Sequence, residues 1–368
     1  MLILSPEISL SEKKIKAILH DPKKSAAAAH LVYVHDNQQG ITRTRRREGF
    51  IYQQGATRVR DEKSLTRIKK LVIPPAWEKV WICPVENGHI QATGLDLKNR
   101  KQYKYHSLWN ALRNQTKFYR LHHLGASMPT MRQHLQKDLA LPGLPLEKVL
   151  AAVVSLMELT SIRVGNSAYE KLYGSFGLTT LKDQHTTIKG SQIRFIFKGK
   201  KGVSHNISLK SKRLAAIIKQ CRDIPGKELF QYYDHDGKRH TLDSGMVNAY
   251  LKTISGQDFT AKDFRTWAGS VHALAAFREV GTCETASGAK KNMVSVLDSV
   301  AKHLGNTRTV CKKYYVHPVL MSLYETNNLH PYFSKMNGRT TMEKKYQGLT
   351  EEEKLLMLIL EKEGLTIH

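Results

Sequence analysis

The sequence predicts an α+β protein, with a small, mainly antiparallel-β N-terminal domain over residues 1–115 and a larger, mainly α domain over 116–368. Three observations lead to this. Short β-branched or aromatic runs, separated by Gly, Asn, Asp and Pro, occupy the chain up to roughly residue 112. From about Leu112 the apolar residues recur with a helical period. A chain of 368 residues is also long enough for two domains and a sizeable core.

Taken in order, residues from about Pro6 to His30 read as a helical extension, with Ser11 as N-cap before Glu12-Lys-Lys-Ile-Lys-Ala-Ile-Leu. The runs Leu31–Val34, Gly49–Tyr52, Val80–Cys83 and His89–Thr93 are the expected strands, and Ile73-Pro-Pro-Ala-Trp77 is a rigid turn among them. Past Leu112, Pro145–Leu159 opens with proline at the first helical position and is apolar on nearly every side, which predicts a buried core helix. A strand pair then interrupts the helices, at Ile193–Phe197 and Val203–Leu209, preceded by Thr187-Ile188 and joined by the turn Gly199-Lys-Lys-Gly202. Helices resume at Lys212, Asp243, Trp267 and Ala289, and Thr350-Glu-Glu-Glu353 is a capping box for the last one, with Gly364 placed to stop it. No internal repeat or low-complexity linker is visible.

Composition narrows the partner. Lys and Arg number 58 against 32 Asp and Glu, a formal net charge of +26. That excess runs along the whole chain and points to a polyanion, nucleic acid first of all. No lipidation motif or basic amphipathic anchor suggests a membrane surface. Cys83, Cys221, Cys283 and Cys311 are too scattered for a zinc site and fit reduced thiols in the cytoplasm. The start of the chain has no signal-peptide pattern, and the apolar run Leu355–Leu360 is too short to span a bilayer.

The chemistry-bearing stretch is His303–Pro318, which sets Asn306 and the pair Tyr314-Tyr315 among basic residues. A phenol, with a pKa near 10, is a poor nucleophile unless cations stabilise the charge that develops on the group it attacks. In so basic a chain, that group is expected to be a phosphodiester. Arg163, in Ser-Ile-Arg-Val-Gly-Asn166, follows the core helix and must either be paired in a structural salt bridge or face a site. Lys200 stands on a glycine-flanked hairpin tip, either a solvated turn or an ammonium delivered into a nucleic-acid groove. Arg265, in Lys-Asp-Phe-Arg-Thr-Trp267, offers the planar fork that suits phosphate.

The order Arg163, Lys200, Arg265, Asn306, Tyr315 resembles the active site of type IB DNA topoisomerases, in particular the bacterial and poxvirus-like branch. Leu71-Val-Ile-Pro-Pro-Ala-Trp77, Gly88-His-Ile-Gln-Ala-Thr-Gly94 and Arg100-Lys-Gln-Tyr-Lys-Tyr-His106 resemble that branch's DNA-binding signature. Tyr173-Gly-Ser-Phe-Gly-Leu178 and Leu304-Gly-Asn-Thr307 extend the likeness through the second domain. The resemblance implies a catalytic domain of the type IB topoisomerase/tyrosine recombinase kind that closes with the first domain around duplex DNA. It implies that Tyr315 attacks a backbone phosphate to leave a 3′-phosphotyrosine, that Arg163, Arg265 and Asn306 hold the nonbridging oxygens, and that Lys200 is the general acid. Many relatives carry histidine where Asn306 stands. The family's Tyr-x-His-Pro pattern selects Tyr315 over Tyr314. No cofactor or metal is implied, and the protein is expected to act as a monomer in the cytoplasm, associated with the nucleoid.

For DNA binding, the resemblance implies Gln102, Tyr103 and Tyr105, beside Arg100 and Lys101, in a stretch that interleaves cations with aromatics; an alternating strand with half-buried tyrosines is the plainer reading. Arg45 and Arg46, in a basic arm from Arg43 to Arg47, are expected phosphate contacts, and Lys262 is expected to reach the minor groove. A tyrosine recombinase shares the Arg–Lys–Arg–Tyr set, but the Arg100–His106 stretch belongs to the topoisomerase branch. A purely architectural DNA binder would need neither Tyr315 nor Lys200.

Overall fold

The computed structural model describes residues 17–18, 21–47, 49–97, 99–234, 236–335 and 345–364. The described residues form two compact units, one up to Tyr119 and one over Arg120–Gly364. The division falls inside the helix Ser107–Leu139, which begins five residues before the helical period became legible at Leu112.

In the first unit, strands β1 (Ile41–Arg46), β2 (Gly49–Gln54), β3 (Thr57–Arg58), β4 (Glu78–Ile82), β5 (Ile90–Leu95) and β6 (Lys101–Tyr105) form one antiparallel sheet in the order β3-β2-β1-β4-β5-β6. Helix Glu62–Lys70, N-capped by Asp61, which accepts from the Ser64 N–H at 2.8 Å, packs Ile68 against Ile41, Val80, Ile82 and Ala92. Two expectations fail here. Leu31–Val34 makes only an isolated bridge, Val32 to Gly88, and β1 carries the ladder instead. The alternation of Thr and Arg in β1 hid a strand whose one buried side chain is Ile41. The expected helix from Pro6 to His30 is also interrupted: Asp21 caps a separate helix, Pro22–Ala28, while Ser11 lies outside the described residues.

Arg43, read as part of a basic arm, is occupied structurally. Its guanidinium donates to the carbonyls of Ile73, Pro74 and Trp77 at 3.2, 3.0 and 2.7 Å and lies over the Phe50 ring. The proline turn has few N–H groups of its own, so the arginine supplies the donors that its carbonyls need.

In the second unit, helix Leu146–Thr160 is the core, with every residue from Val149 to Met157 buried. Full burial of each of its larger aliphatic side chains stabilises the fold by about 1.5–3 kcal/mol. Pro145 stands at the N-cap, one position before the expected one, and Ser161 ends the helix in the left-handed conformation, φ 55°. Strands β7 (Thr186–Lys189), β8 (Gln192–Lys198) and β9 (Ser204–Lys210) form a three-stranded sheet whose β8 buries Ile193, Phe195 and Phe197 on one face. A short hairpin, β10 (Gln231–Tyr233) and β11 (Arg239–Thr241), was not anticipated.

The helices that follow are Lys212–Asp223, Ser244–Ser255, Ala261–Val280, Ala286–Leu304, Arg308–Tyr314 and Pro318–Glu325. The third begins six residues before the expected Trp267, because Thr260 and Asp263 form a capping box at its N-terminus. Glu353, found as a capping-box residue of the last helix, does more: it accepts from Arg132 at 2.7 and 3.0 Å and from the Trp267 indole at 3.0 Å. Those bonds hold its carboxyl below the ordinary glutamate range against the opposing effect of burial. Among the described residues, no helix is long and apolar enough to cross a membrane.

Candidate active site

The site grows from the ends of helices. The last carbonyls of a helix have no intrahelical donor and carry the negative end of its dipole. Arg265, one turn into helix Ala261–Val280 and only 5% exposed, donates to two of them: the carbonyl of Ser161, past the core helix, and that of Leu304, at 2.7 Å, ending helix Ala286–Leu304. Arg163 donates to the Gly305 carbonyl at 3.2 Å and to Asn306 Oδ1 at 2.6 Å. Both guanidinium groups are thus anchored on neutral acceptors. Their positive charge is left for an anion.

Tyr315 stands at the C-cap of helix Arg308–Tyr314, hydrogen-bonded to Arg265, with the guanidinium carbon 5.3 Å from its ring centre. Its backbone is gripped on both sides: its N–H donates to Cys311 O at 2.9 Å, and its carbonyl accepts from Ser270 Oγ at 3.3 Å. Gly269, one turn after Arg265, lets the tyrosine's backbone this close, since a Cβ there would stand 2.6 Å from the Tyr315 carbonyl oxygen. Tyr314 sits one residue earlier, with the Lys313 ammonium 5.4 Å from its ring centre.

Burial and mutual repulsion set the electrostatics. Arg163 is pressed down to about 10 by burial and then by Arg265. Arg265 is lowered mainly by its own burial. Lys200, on the turn between β8 and β9, keeps much of its side chain exposed, yet desolvation of the ammonium and then Arg163 hold it below the usual lysine range. The charges acting on Lys200 include Arg163, Tyr315 and Arg265, so the hairpin brings it to the same place. Among the described residues, the structural salt bridge considered for Arg163 is not formed. Among those same residues, two buried donors here lack a partner, Arg265 Nε and Asn306 Nδ2. An unpaired buried donor costs about 1–3 kcal/mol, a cost that an arriving acceptor removes.

The other sequence candidates stand on β1, on β6 or just before it, and in the first turn of helix Ala261–Val280. Lys101, Tyr103 and Tyr105 project from one face of β6, an edge strand; the two tyrosine rings stack at 5.7 Å, and Tyr103 is exposed. Lys101 pairs with Asp36 at 2.6 Å, while Arg100 and Gln102 both donate to Asp96 Oδ2, at 2.7 and 3.0 Å. Arg45 and Arg46 are exposed on β1, and Lys262 is exposed on helix Ala261–Val280. Sequence reasoning passed over Gly269, Ser161 and Ser270, whose roles depend on which backbones meet.

Two histidines flank the cluster in neutral form. His317, N-cap of helix Pro318–Glu325, accepts from the Val319 N–H at 3.2 Å, and burial pushes it down to about 3. His303, bonded to Ser161 Oγ at 3.1 Å and stacked on His272, is pushed by burial to about 4. In the unfolded chain each titrates near pH 6.5. The folded state therefore keeps its full stability above about pH 6.5 and loses it as pH falls toward the folded values, by about 1.4 kcal/mol per pH unit for each histidine. His317→Asn retains an acceptor for the Val319 N–H and removes one titration. The difference between urea midpoints at about pH 7.5 and 5 should then be smaller than in the parent.

The catalytic-core family described as eukaryotic DNA topoisomerase I matches residues 102–337, and the bacterial DNA topoisomerase IB N-terminal domain matches residues 49–96. The DNA topoisomerase 1B of Acanthamoeba polyphaga mimivirus is 31% identical over 297 residues, covering 78% of this chain and 88% of the relative. DNA topoisomerase 1B of Vaccinia virus and DNA topoisomerase I of Monkeypox virus are each 25% identical over 247 residues, 66% of this chain and 74% of theirs. With a fold of antiparallel sheet plus larger helical unit, and with two arginines, a lysine and a tyrosine gathered as described, this chain belongs to the type IB DNA topoisomerase family.

Proposed function

We propose that Tyr315 is the nucleophile with which this topoisomerase nicks one strand of duplex DNA, and that Arg163, Lys200, Arg265 and Asn306 act on the same phosphate. The observation that carries this is the pair of buried donors, Arg265 Nε and Asn306 Nδ2, that have no partner among the described residues, set beside Tyr315 among cations with no carboxylate partner among those residues. They are suited to the nonbridging oxygens of a phosphodiester, whose charge grows in the transition state. Asn306, oriented because its Oδ1 is taken by Arg163, presents its amide N–H groups as donors.

The phenol oxygen forms a bond to phosphorus as the bond to the 5′-oxygen breaks. The phenol proton leaves to solvent, and Lys200 gives a proton to the departing 5′-oxygen. A depressed lysine pKa makes it a stronger acid for that transfer. One phosphoester replaces another, so the bond energy is conserved, and the reverse reaction reseals the strand without ATP or metal. Between the two steps the free end rotates, relaxing supercoils of either sign. Arg100 and the β6 residues Lys101, Gln102, Tyr103 and Tyr105, together with Arg45, Arg46 and Lys262, are the DNA contacts in this reading, with a monomer acting on nucleoid DNA.

The test is plasmid relaxation with EDTA present and ATP absent. Relaxation of both positively and negatively supercoiled plasmid supports the reading. Binding without relaxation sinks it.

A further inference from the structure

We propose that His205 is a positioning residue, a flat wedge that holds the Lys200 hairpin in place against the Asn306 turn. The proposal rests on the reading that Lys200 is the general acid. His205 is the second residue of β9, opposite Phe197 on β8, and its ring stacks on the Phe197 ring at 4.9 Å and 17°. The turn between those two residues carries Lys200.

Two glycines record how closely the imidazole is held. A Cβ on Gly199 would stand 2.6 Å from His205 Cδ2 and Nε2, and one on Gly305 would stand 2.6 Å from His205 Cε1. Gly199 immediately precedes Lys200, and Gly305 immediately precedes Asn306. Gly199 has φ −91°, a value open to other residues, so its missing side chain is explained by the ring and not by backbone conformation. Gly305 has φ 57° and so meets both demands, a left-handed cap and room for the ring.

The imidazole therefore fills the space between a strand hairpin and a helix C-cap that are distant in sequence, and it touches each at the residue before a proposed catalytic group. Burial, with Arg163 and Arg265 nearby, keeps the ring below the ordinary histidine range, so it adds no fourth cation. A short hairpin tip bearing an exposed lysine has many orientations open to it. Packing its base against the Asn306 turn restricts them, and correct placement of a reacting group is worth large factors in rate.

The experiment is single-turnover cleavage of a duplex oligonucleotide by wild type, His205→Ala, His205→Leu and His205→Phe. Each is run on an ordinary substrate and on one whose bridging 5′-oxygen is sulfur. On the second, the phosphorus–sulfur bond breaks and a thiolate departs without needing a proton from Lys200. We expect His205→Ala and His205→Leu to cleave the oxygen substrate about 10²-fold more slowly than wild type, the low end of what a general acid contributes. On the sulfur substrate they should come within a few-fold of wild type. His205→Phe, which keeps a flat ring, should stay close to wild type on both. Equal slowing on both substrates in Ala and Leu overturns the proposal, because the damage then lies elsewhere than at Lys200. Loss of rate in His205→Phe as deep as in His205→Ala overturns it as well, since ring nitrogens and not packing would be responsible. If wild type cleaves neither substrate, the topoisomerase reading itself fails.

Discussion

Tyr315→Phe is expected to abolish plasmid relaxation, with a loss of at least about 10⁴-fold, because the only atom removed is the one that bonds to phosphorus. The ring stays, and so does its position beside Arg265, so the fold and DNA affinity should persist. Two measurements check this: relaxation of supercoiled plasmid, and trapping of a protein–DNA adduct on a denaturing gel. Tyr314→Phe serves as the comparison and should keep near-wild-type relaxation. An adduct formed by Tyr315→Phe and lost in Tyr314→Phe would move the nucleophile by one residue.

Arg265→Lys is expected to slow cleavage by about 10²- to 10³-fold, the usual loss when one preorganised donor to a developing charge is removed. The substitution conserves charge, so long-range attraction for DNA and its salt dependence should be little changed. Geometry is what it loses. The guanidinium reaches the Ser161 carbonyl, the Leu304 carbonyl and Tyr315 together, and one ammonium on a flexible stem cannot span them. At least one helix-end carbonyl is then left without its donor, so chemical denaturation should show a loss of about 1–3 kcal/mol beside the rate effect. Weak DNA binding with a normal cleavage rate at saturation would contradict the assignment.

Much of this was legible before any coordinates, for reasons that differ by region. The core helix announced itself because Val149–Met157 is apolar but for Ser155, and the β8 strand because Ile193, Phe195, Ile196 and Phe197 are β-branched or aromatic. The β1 strand did not, since an exposed strand of Thr and Arg has no apolar signature, whereas Leu31–Val34 has one and forms only a bridge. The residues proposed around Tyr315 were chosen from sequence through their resemblance to the type IB set, each being a weak signal alone. Their supports could not. That Arg265 is seated on helix-end carbonyls, that Arg43 serves a proline turn, and that His205 fits against two glycines are facts of tertiary approach. Sequence spacing carries no record of them.

The backbone seat of Tyr315 has a mechanical consequence. On the proposed reading, the enzyme is tethered to the open strand through the Tyr315 phenol alone, and a supercoiled molecule unwinding its torsion pulls on that tether. The residues around the tether are stitched to the interior: Val316 is fully buried and donates to Cys311 O at 3.0 Å, and the His317 N–H donates to Ser270 Oγ, which also holds the Tyr315 carbonyl. Torque arriving at the phenol ring is therefore resisted by helix Ala261–Val280, the same helix that carries Arg265. On that reading the anchor and the clamp on the phosphate share one helix, which should keep the severed ends aligned for rejoining while the duplex spins.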